Sequence, residues 1–475
     1  MSANNLSRRD FFSVGSSAAL AAAIAPQFNP LVAHAQSKPV DLNLDVESVP
    51  VSLDRASTFQ NLMMDAYAAG STVRLTQSYS DQALGATAFT YDNAVAIHAY
   101  LASGEPDNLS RAEVLGSGLL YAQAHNFPIA DGRFAQAYFV NTAASDGSGA
   151  FITPAAAPFF FYTSAVGDQA WAGLALAQLY SRTRNASYLT GALSVANWIV
   201  ANTYNTLGPG GFSFGTTINP MNQSVPSTNG KSTEHNIDTF AFFSMLSKLT
   251  EGGYASNGMS WSALAQHALT FVIAMFNEAG PYFYTGTLSD QITINTTPIP
   301  EDCQSWSYMA LLDARYQKTI DWATANLETT DTSTAPHSSL TGTATFHGLV
   351  FDTASLTTTA DDPQAVWLEG TAHTAAALTA RVLHGGDTLP KLLADITSAI
   401  KLLEDCVHAQ QLLGAGQTVA GKAIPTNLGL VASTSVLDTG FGYTYGPSLH
   451  IGATGWYLLA GFVGNPFQLG YRALG

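Results

Sequence analysis

Charge is scarce in this chain, and cations are scarcer still. Only 11% of the 475 residues are charged, and 34 acids against 18 bases leave a net charge of −16. Such a surface repels phosphate backbones, so nucleic acid is not expected as a partner. Anionic membrane surfaces are disfavoured on the same ground. A neutral ligand suits the composition, because an anionic one would need local cations. Cysteine is nearly missing: Cys303 and Cys406 have no metal-ligand spacing, and the pair is compatible with one disulfide or with two buried thiols. After the N-terminal region no apolar run is long and uncharged enough to span a bilayer. There is no HExxH, no glycine-rich phosphate loop and no G-x-S-x-G elbow. No metal or cofactor is expected.

Apolar residues make up 47% of the chain, enough for a large core. The N-terminus is set apart. "SRRDFF" (Ser7–Phe12) pairs two arginines with aromatics, a weakly apolar stretch follows, and "AHA" (Ala33–Ala35) is a cleavage site of the A-x-A kind. This resembles a twin-arginine export signal over residues 1–35. Cleavage would remove two Arg and one Asp, giving −17, and would place a monomer in the periplasm or outside the cell. Residues 36–50 read as an extension, and 51–475 as one folded domain.

A polar knot followed by an Ala-rich apolar helix recurs six times. The copies are "YDNAVAIHAYLA", "GDQAWAGLALAQLY", "TEHNIDTFAFFSML", "EDCQSWSYMALLDA", "WLEGTAHTAAALTA" and "HIGATGWYLLAG". Asp92, Asp168, Asp238, Trp306, Glu369 and Thr454 mark them, 63 to 85 residues apart. Before each lies an amphipathic segment (53–70, 108–125, 187–204, 260–276, 317–327 and 389–410), apolar at i, i+3, i+4, i+7. One-sided helices face water, and helices apolar all round are buried. Six outer and six inner helices in alternation predict an all-α (α/α)6 toroid. Its parallel inner helices bring the six knots to one rim. Loops rich in Gly and aromatics, "FFFYTS" (159–164), "TLGPGGFSFG" (206–215), "GPYFYTG" (280–286) and "TGFGYTYG" (439–446), would offer flat rings there for stacking on sugars.

With its sixfold pattern and "YDNA", "GDQAW", "STEHNID", "DCQSW", "VWLEGTA" and "LHIGATGWYLLAG", the chain resembles the six-hairpin glycosidase superfamily over roughly residues 50–470. The resemblance implies cleavage of glycosidic bonds in an oligo- or polysaccharide, with carboxylates at the inner-helix ends and an aromatic-lined cleft.

Glycoside hydrolysis needs one carboxylic acid to protonate the leaving oxygen and a second carboxylate to activate water or attack the sugar. Glu234 and Asp238 are four residues apart and share a helix face, too close for an inverting pair. One of them is expected to be catalytic, with a partner across the ring: Glu369, Asp92 or Asp168. Ser232 or Thr233 would cap that helix. Trp367 beside Glu369 would desolvate it and raise its pKa, and Gly370 would let a ligand approach the backbone. Asp168, Gln169, Trp171, His235, Asn236, Asp302, Gln304, Trp306, Trp367, His373, Tyr443, Tyr445 and His450 complete the expected substrate-binding set. A lyase on the same toroid would use Tyr91, Tyr443 or His450 as base and would need Arg or Lys for a uronate. Only Lys231 lies near. A non-catalytic glycan binder would have no use for converging carboxylates, which cost desolvation energy.

Overall fold

The computed structural model describes residues 48–67, 70–126, 128–140, 163–218 and 223–471. The export-signal reading of residues 1–35 lies outside them, as does most of "FFFYTS". Twelve α-helices occur among the described residues. They are α1 (Val49–Asp65), α2 (Thr90–Ser103), α3 (Pro106–Ala124), α4 (Val166–Thr183), α5 (Ala186–Thr203), α6 (Thr233–Leu249), α7 (Trp261–Ala274), α8 (Asp302–Leu311), α9 (Lys318–Leu327), α10 (Leu368–His384), α11 (Leu389–Leu412) and α12 (Ile451–Gly461). Even-numbered helices pack side by side in the order α2–α4–α6–α8–α10–α12, and α12 returns to α2. Odd-numbered helices lie outside them. The architecture is the (α/α)6 toroid expected from the sixfold pattern.

The hairpin pairing differs from the sequence reading. Short links follow the inner helices, as between Ser103 and Pro106 or Thr183 and Ala186, so each inner helix pairs tightly with the outer helix after it. The last inner helix, α12, packs on the first outer helix, α1. Long segments instead lead into the inner helices and crowd their N-terminal end. They carry only small antiparallel sheets of two or three strands, such as Glu328–Thr332 with Thr345–Leu349.

Small residues explain how the inner helices approach. Ala170, Ala172, Ala175 and Ala177 of α4 are fully buried. A side chain at Gly173 would run into the Phe242 ring of α6. The buried cation of α10 is paired across to the outer layer: Arg381 reaches Asp395 on α11 (2.7 Å) and Asp321 on α9 (2.9 Å). Cys303 and Cys406 are both buried and unpaired.

A second sixfold feature fixes the rim. In the first turn of each inner helix one polar side chain turns back onto the loop. Asn93 accepts from Thr76 N–H (2.8 Å) and donates to its carbonyl (3.1 Å). Gln169 does the same with Phe134 (2.7 and 2.9 Å), Asn236 with Phe212 (2.8 and 3.1 Å) and Gln304 with Phe283 (2.8 and 3.0 Å). Thr371 and Thr454 accept from Leu349 N–H (3.1 Å) and Leu430 N–H (3.0 Å). Each amide therefore pairs with the backbone as a neighbouring strand would. This corrects the reading of Gln169, Asn236 and Gln304 as sugar ligands: both ends of each amide are spent on the loop. Asn236→Ala would strand the buried Phe212 N–H and carbonyl, and is expected to cost about 1–3 kcal/mol in urea denaturation.

Candidate active site

The polar knots converge, as contacts between different inner helices show. Tyr91 on α2 donates its hydroxyl to Glu369 Oε1 on α10 at 2.5 Å, and receives Trp456 N–H from α12 at 2.7 Å. His450, capping α12, places Nε2 3.1 Å from Asp92 Oδ1 on α2. Burial opposes a charge on this imidazole, but Asp92, then Glu369, outweigh it and raise the ring above its ordinary value. Gly452 is required here, since a Cβ would collide with the Asp92 carboxyl and the His450 ring.

One half of the site, on α10, α12 and α2, alternates acids and imidazoles. Glu369 is 2% exposed. Its Oε1 lies 3.6 Å from His373 Nε2, and its Oε2 lies 3.7 Å from His450 Nδ1. On its far side His373 Nδ1 meets Glu301 Oε2 at 3.1 Å, and Thr374 donates to Glu301 Oε1 at 2.7 Å. Burial opposes the charge of His373, but the Glu301 and Glu369 carboxylates outweigh it and lift the imidazole to about 9. Burial by itself would also raise the Glu369 carboxyl. His373, His450 and Tyr91 outweigh it and hold the group below the usual glutamate range. Glu369 thus stays ionised, and its Oε2 has no hydrogen-bond donor. The expectation that Trp367 would raise this acid is overturned.

The other half, on α4, α6 and α8, has carboxylates without cations. Ser232 caps α6 by accepting from His235 N–H, as expected, and Glu234 follows in the first turn with a side chain 29% exposed. Asp238 sits one turn deeper, fully buried, and neither of its oxygens has a hydrogen-bond partner. Asp168 is half-buried at the start of α4, and Asp302 opens α8, accepting from Cys303 N–H at 2.5 Å. Burial, then repulsion from Asp302, Asp168 and Glu369, pushes Glu234 well above the usual range. Burial and the same neighbourhood raise Asp238, burial and Asp92 raise Asp168, and burial and Glu301 lift Asp302 to about 6. His235 lies 3.9 Å from Glu234, but burial depresses it to about 4, so it stays neutral.

The tryptophans are placed differently from the sequence expectation. Trp171 and Trp306 do not form a ligand wall. With Trp456 and Phe467 they make an aromatic plug, ring centroids 5.2–6.4 Å apart, in which both are fully enclosed. Each sits about one turn into its helix, where inward-pointing side chains fill the ring's axis. Trp367 is also buried, 16° from parallel to Tyr445, and Gly370 is glycine to make room for its indole rather than for a ligand. Tyr443 remains on the surface with Phe441, at the tip of a short hairpin pairing Leu437–Asp438 with Thr444–Tyr445.

Sequence reasoning missed Glu301, Tyr79 and Asp352, and placed Tyr91 only as a lyase base. Glu301 stands beside Asp302 in the quoted knot and was a legible candidate. Tyr79 stacks on His450 (4.2 Å, 6°), and Asp352 is raised by burial to about 7; both arrive on loops with no helical pattern to mark them.

No protein-family model and no curated protein sequence matches this chain. Solved structures do. A GH76 α-mannanase from Bacteroides thetaiotaomicron aligns with a TM-score of 0.53 at 13% identity, over 88% of this chain and 96% of that one. A glycosidase variant in complex with glucose aligns with a TM-score of 0.54 at 10% identity, over 88% and 98%. The fold is that of the six-hairpin glycosidases. At these identities the likeness concerns the toroid alone. Among the described residues of this six-hairpin toroid, no helix is long and apolar enough to cross a membrane.

Proposed function

We propose that this chain is an exported glycoside hydrolase, with Glu234 as general acid and Glu369 as general base or nucleophile. The observation that carries the reading is the contrast between two carboxyls at inner-helix starts: Glu234 on α6 is partly exposed among other acids, and Glu369 on α10 is buried between Tyr91, His373 and His450. Burial and the neighbouring acids push Glu234 up, toward its protonated form, and its side chain is partly accessible. Glu369 is kept ionised with one oxygen free. Environments that push two carboxyl pKa values apart separate the acid from the base. In the first step Glu234 gives its proton to the glycosidic oxygen as the C–O bond breaks. Glu369 Oε2 either takes a proton from the attacking water or adds to the anomeric carbon. Tyr91 and His373 fix the other oxygen. Asp238 lies too deep to touch a sugar and acts on Glu234 from beneath, which narrows the choice the sequence left open.

Two parts of the lyase alternative are engaged elsewhere. Lys231 spends its ammonium on the Leu207 and Gly210 carbonyls (2.7 and 2.8 Å), and Tyr91 is committed to Glu369. The test is incubation of residues 36–475 with a panel of defined oligo- and polysaccharides, read by mass spectrometry. Products heavier by one water per cleavage are expected. Unsaturated products, or no cleavage of any glycan, would overturn the assignment.

A further inference from the structure

We propose that Phe441 and Tyr443, at the tip of the 437–445 hairpin, form the platform for the sugar on the leaving-group side of the scissile bond, so that the substrate is a glycan whose leaving group is itself a sugar. The inference rests on the glycosidase reading and narrows its substrate class. Among the described residues four Phe, Tyr or Trp side chains are exposed: Tyr204, Tyr254, Phe441 and Tyr443. Tyr204 already stacks on His267 (4.2 Å, 19°). Tyr254 lies in the link after α6, at the end of the ring away from the polar knots. Phe441 and Tyr443 remain, 44% and 37% exposed, and they stand at the mouth of the site.

The hairpin is fixed among the starts of three inner helices. Tyr445 at its foot lies nearly parallel to Trp367, two residues before Glu369 (6.0 Å, 16°), and tilts over His450 at the head of α12 (6.4 Å, 36°). Its turn rests on Asp352, which bridges to Pro300 just ahead of Asp302. A Cβ at Gly440 would meet Asp352 Oδ2 and the Ala354 methyl, both at 2.9 Å. Ser355 ties the same segment to the Asp438 carbonyl (2.7 Å). Thr439 closes the tip, its N–H and hydroxyl both donating to the Tyr443 carbonyl (3.2 and 2.7 Å). Phe351 meets both exposed rings at steep angles (6.1 and 6.4 Å). Rings held this way have little freedom to lose when a pyranose lays its C–H face on them. Burial first, then the charges of Glu234, Asp302, Asp352 and Glu369 in that order, raise the Tyr443 phenol. Its hydroxyl end therefore reaches over the acid's half of the site, with Glu234 weighing more than Glu369. Glu234 is the group that meets the leaving oxygen, so a sugar beyond it is the leaving group. Depth agrees: Glu369 is buried, which encloses the reacting sugar and leaves the platform outside it.

The experiment uses α- and β-linked trisaccharides of mannose, glucose and galactose, and the glycosyl fluorides of the same three sugars. A fluoride fills only the place of the reacting sugar, whereas a trisaccharide also reaches the platform. The quantity read is the ratio of kcat/KM for a cleaved trisaccharide to kcat/KM for its fluoride, in the full mature chain and its variants. The ratio is expected to fall tenfold or more in the double variant Phe441→Ala, Tyr443→Ala. It is expected to hold in Tyr443→Phe, which keeps the ring. An unchanged ratio in the double variant, or one that falls as far in Tyr443→Phe, overturns the inference and leaves the glycosidase reading standing. Cleavage of fluorides but of no trisaccharide does the same. If neither kind of substrate is cleaved, the glycosidase reading fails, and the platform is judged by calorimetry alone. At least one trisaccharide must then bind the mature chain, and bind the double variant tenfold or more weakly. Equal binding to both, or binding to neither, overturns the platform as well.

Discussion

Glu369→Gln and Glu234→Gln should each remove most turnover, and for different reasons. General acid–base steps are worth roughly 10²–10⁴-fold in rate, and both changes keep side-chain shape while abolishing proton transfer. Glu234 is pushed toward its neutral acid by burial and the neighbouring carboxylates, so its replacement by a neutral amide removes no charge and should leave stability largely unchanged. Glu369 is anchored by Tyr91 and His373, and Gln retains an oxygen for the Tyr91 hydroxyl. The two variants separate on leaving-group chemistry. An activated aryl glycoside departs without a proton, so it should restore much of the rate to Glu234→Gln and none to Glu369→Gln. The measurement is kcat on a natural and an aryl substrate for each variant. Near-wild-type turnover in both would show that the KSTEHNID knot is structural.

Glu301→Gln should change how stability depends on pH. His373 is lifted to about 9 in the folded chain, above the ordinary 6.5 of an unfolded histidine. A group with a raised folded pKa stabilises the fold fully below its unfolded value. That contribution disappears as pH rises through the folded value. The window is therefore pH 6.5 to 9, and the contribution at pH 7 is on the order of 2–3 kcal/mol. In Glu301→Gln the carboxylate nearest His373 is gone, while an oxygen remains for Thr374. Urea denaturation should show lower stability at pH 6.5 and a flatter decline to pH 9.5. His373 stays cationic at the acidic pH where Glu369 titrates, and a neighbouring negative charge is gone, so the acidic limb of the activity profile should not move to higher pH. An unchanged dependence of stability on pH would remove Glu301 from the site.

The ring was legible because inner and outer helices obey different patterns. A helix such as α4 is apolar all round, with acids only at its start, whereas α11 is one-sided. That contrast survives without any knowledge of contacts. It also located the rim, since the polar residues sit at one end of every inner helix. Roles within the knots were less legible. Asn236 and Glu234 look equally suited to sugar in a linear reading. The clamp on Phe212 shows only when a loop residue 24 positions away is folded back. Trp306 and Trp171 likewise follow acids by one turn, but in a closed ring one turn inward is the filled axis. The sign of the Glu369 shift was missed because Trp367 is adjacent in sequence, whereas the imidazoles that decide it come from α10 and the start of α12.

Opposite protonation of Glu234 and Glu369 is the claim on which the mechanism stands, and it is measured directly by carboxyl ¹³C NMR. The mature chain is labelled with [δ-¹³C]glutamate, and the two signals are assigned by their loss in Glu234→Gln and Glu369→Gln. As pH is raised, the Glu369 signal should reach its ionised position below the usual glutamate range, while Glu234 stays protonated well above it. Two signals titrating together near the ordinary glutamate value, or in the reverse order, would contradict the assignment of acid and base.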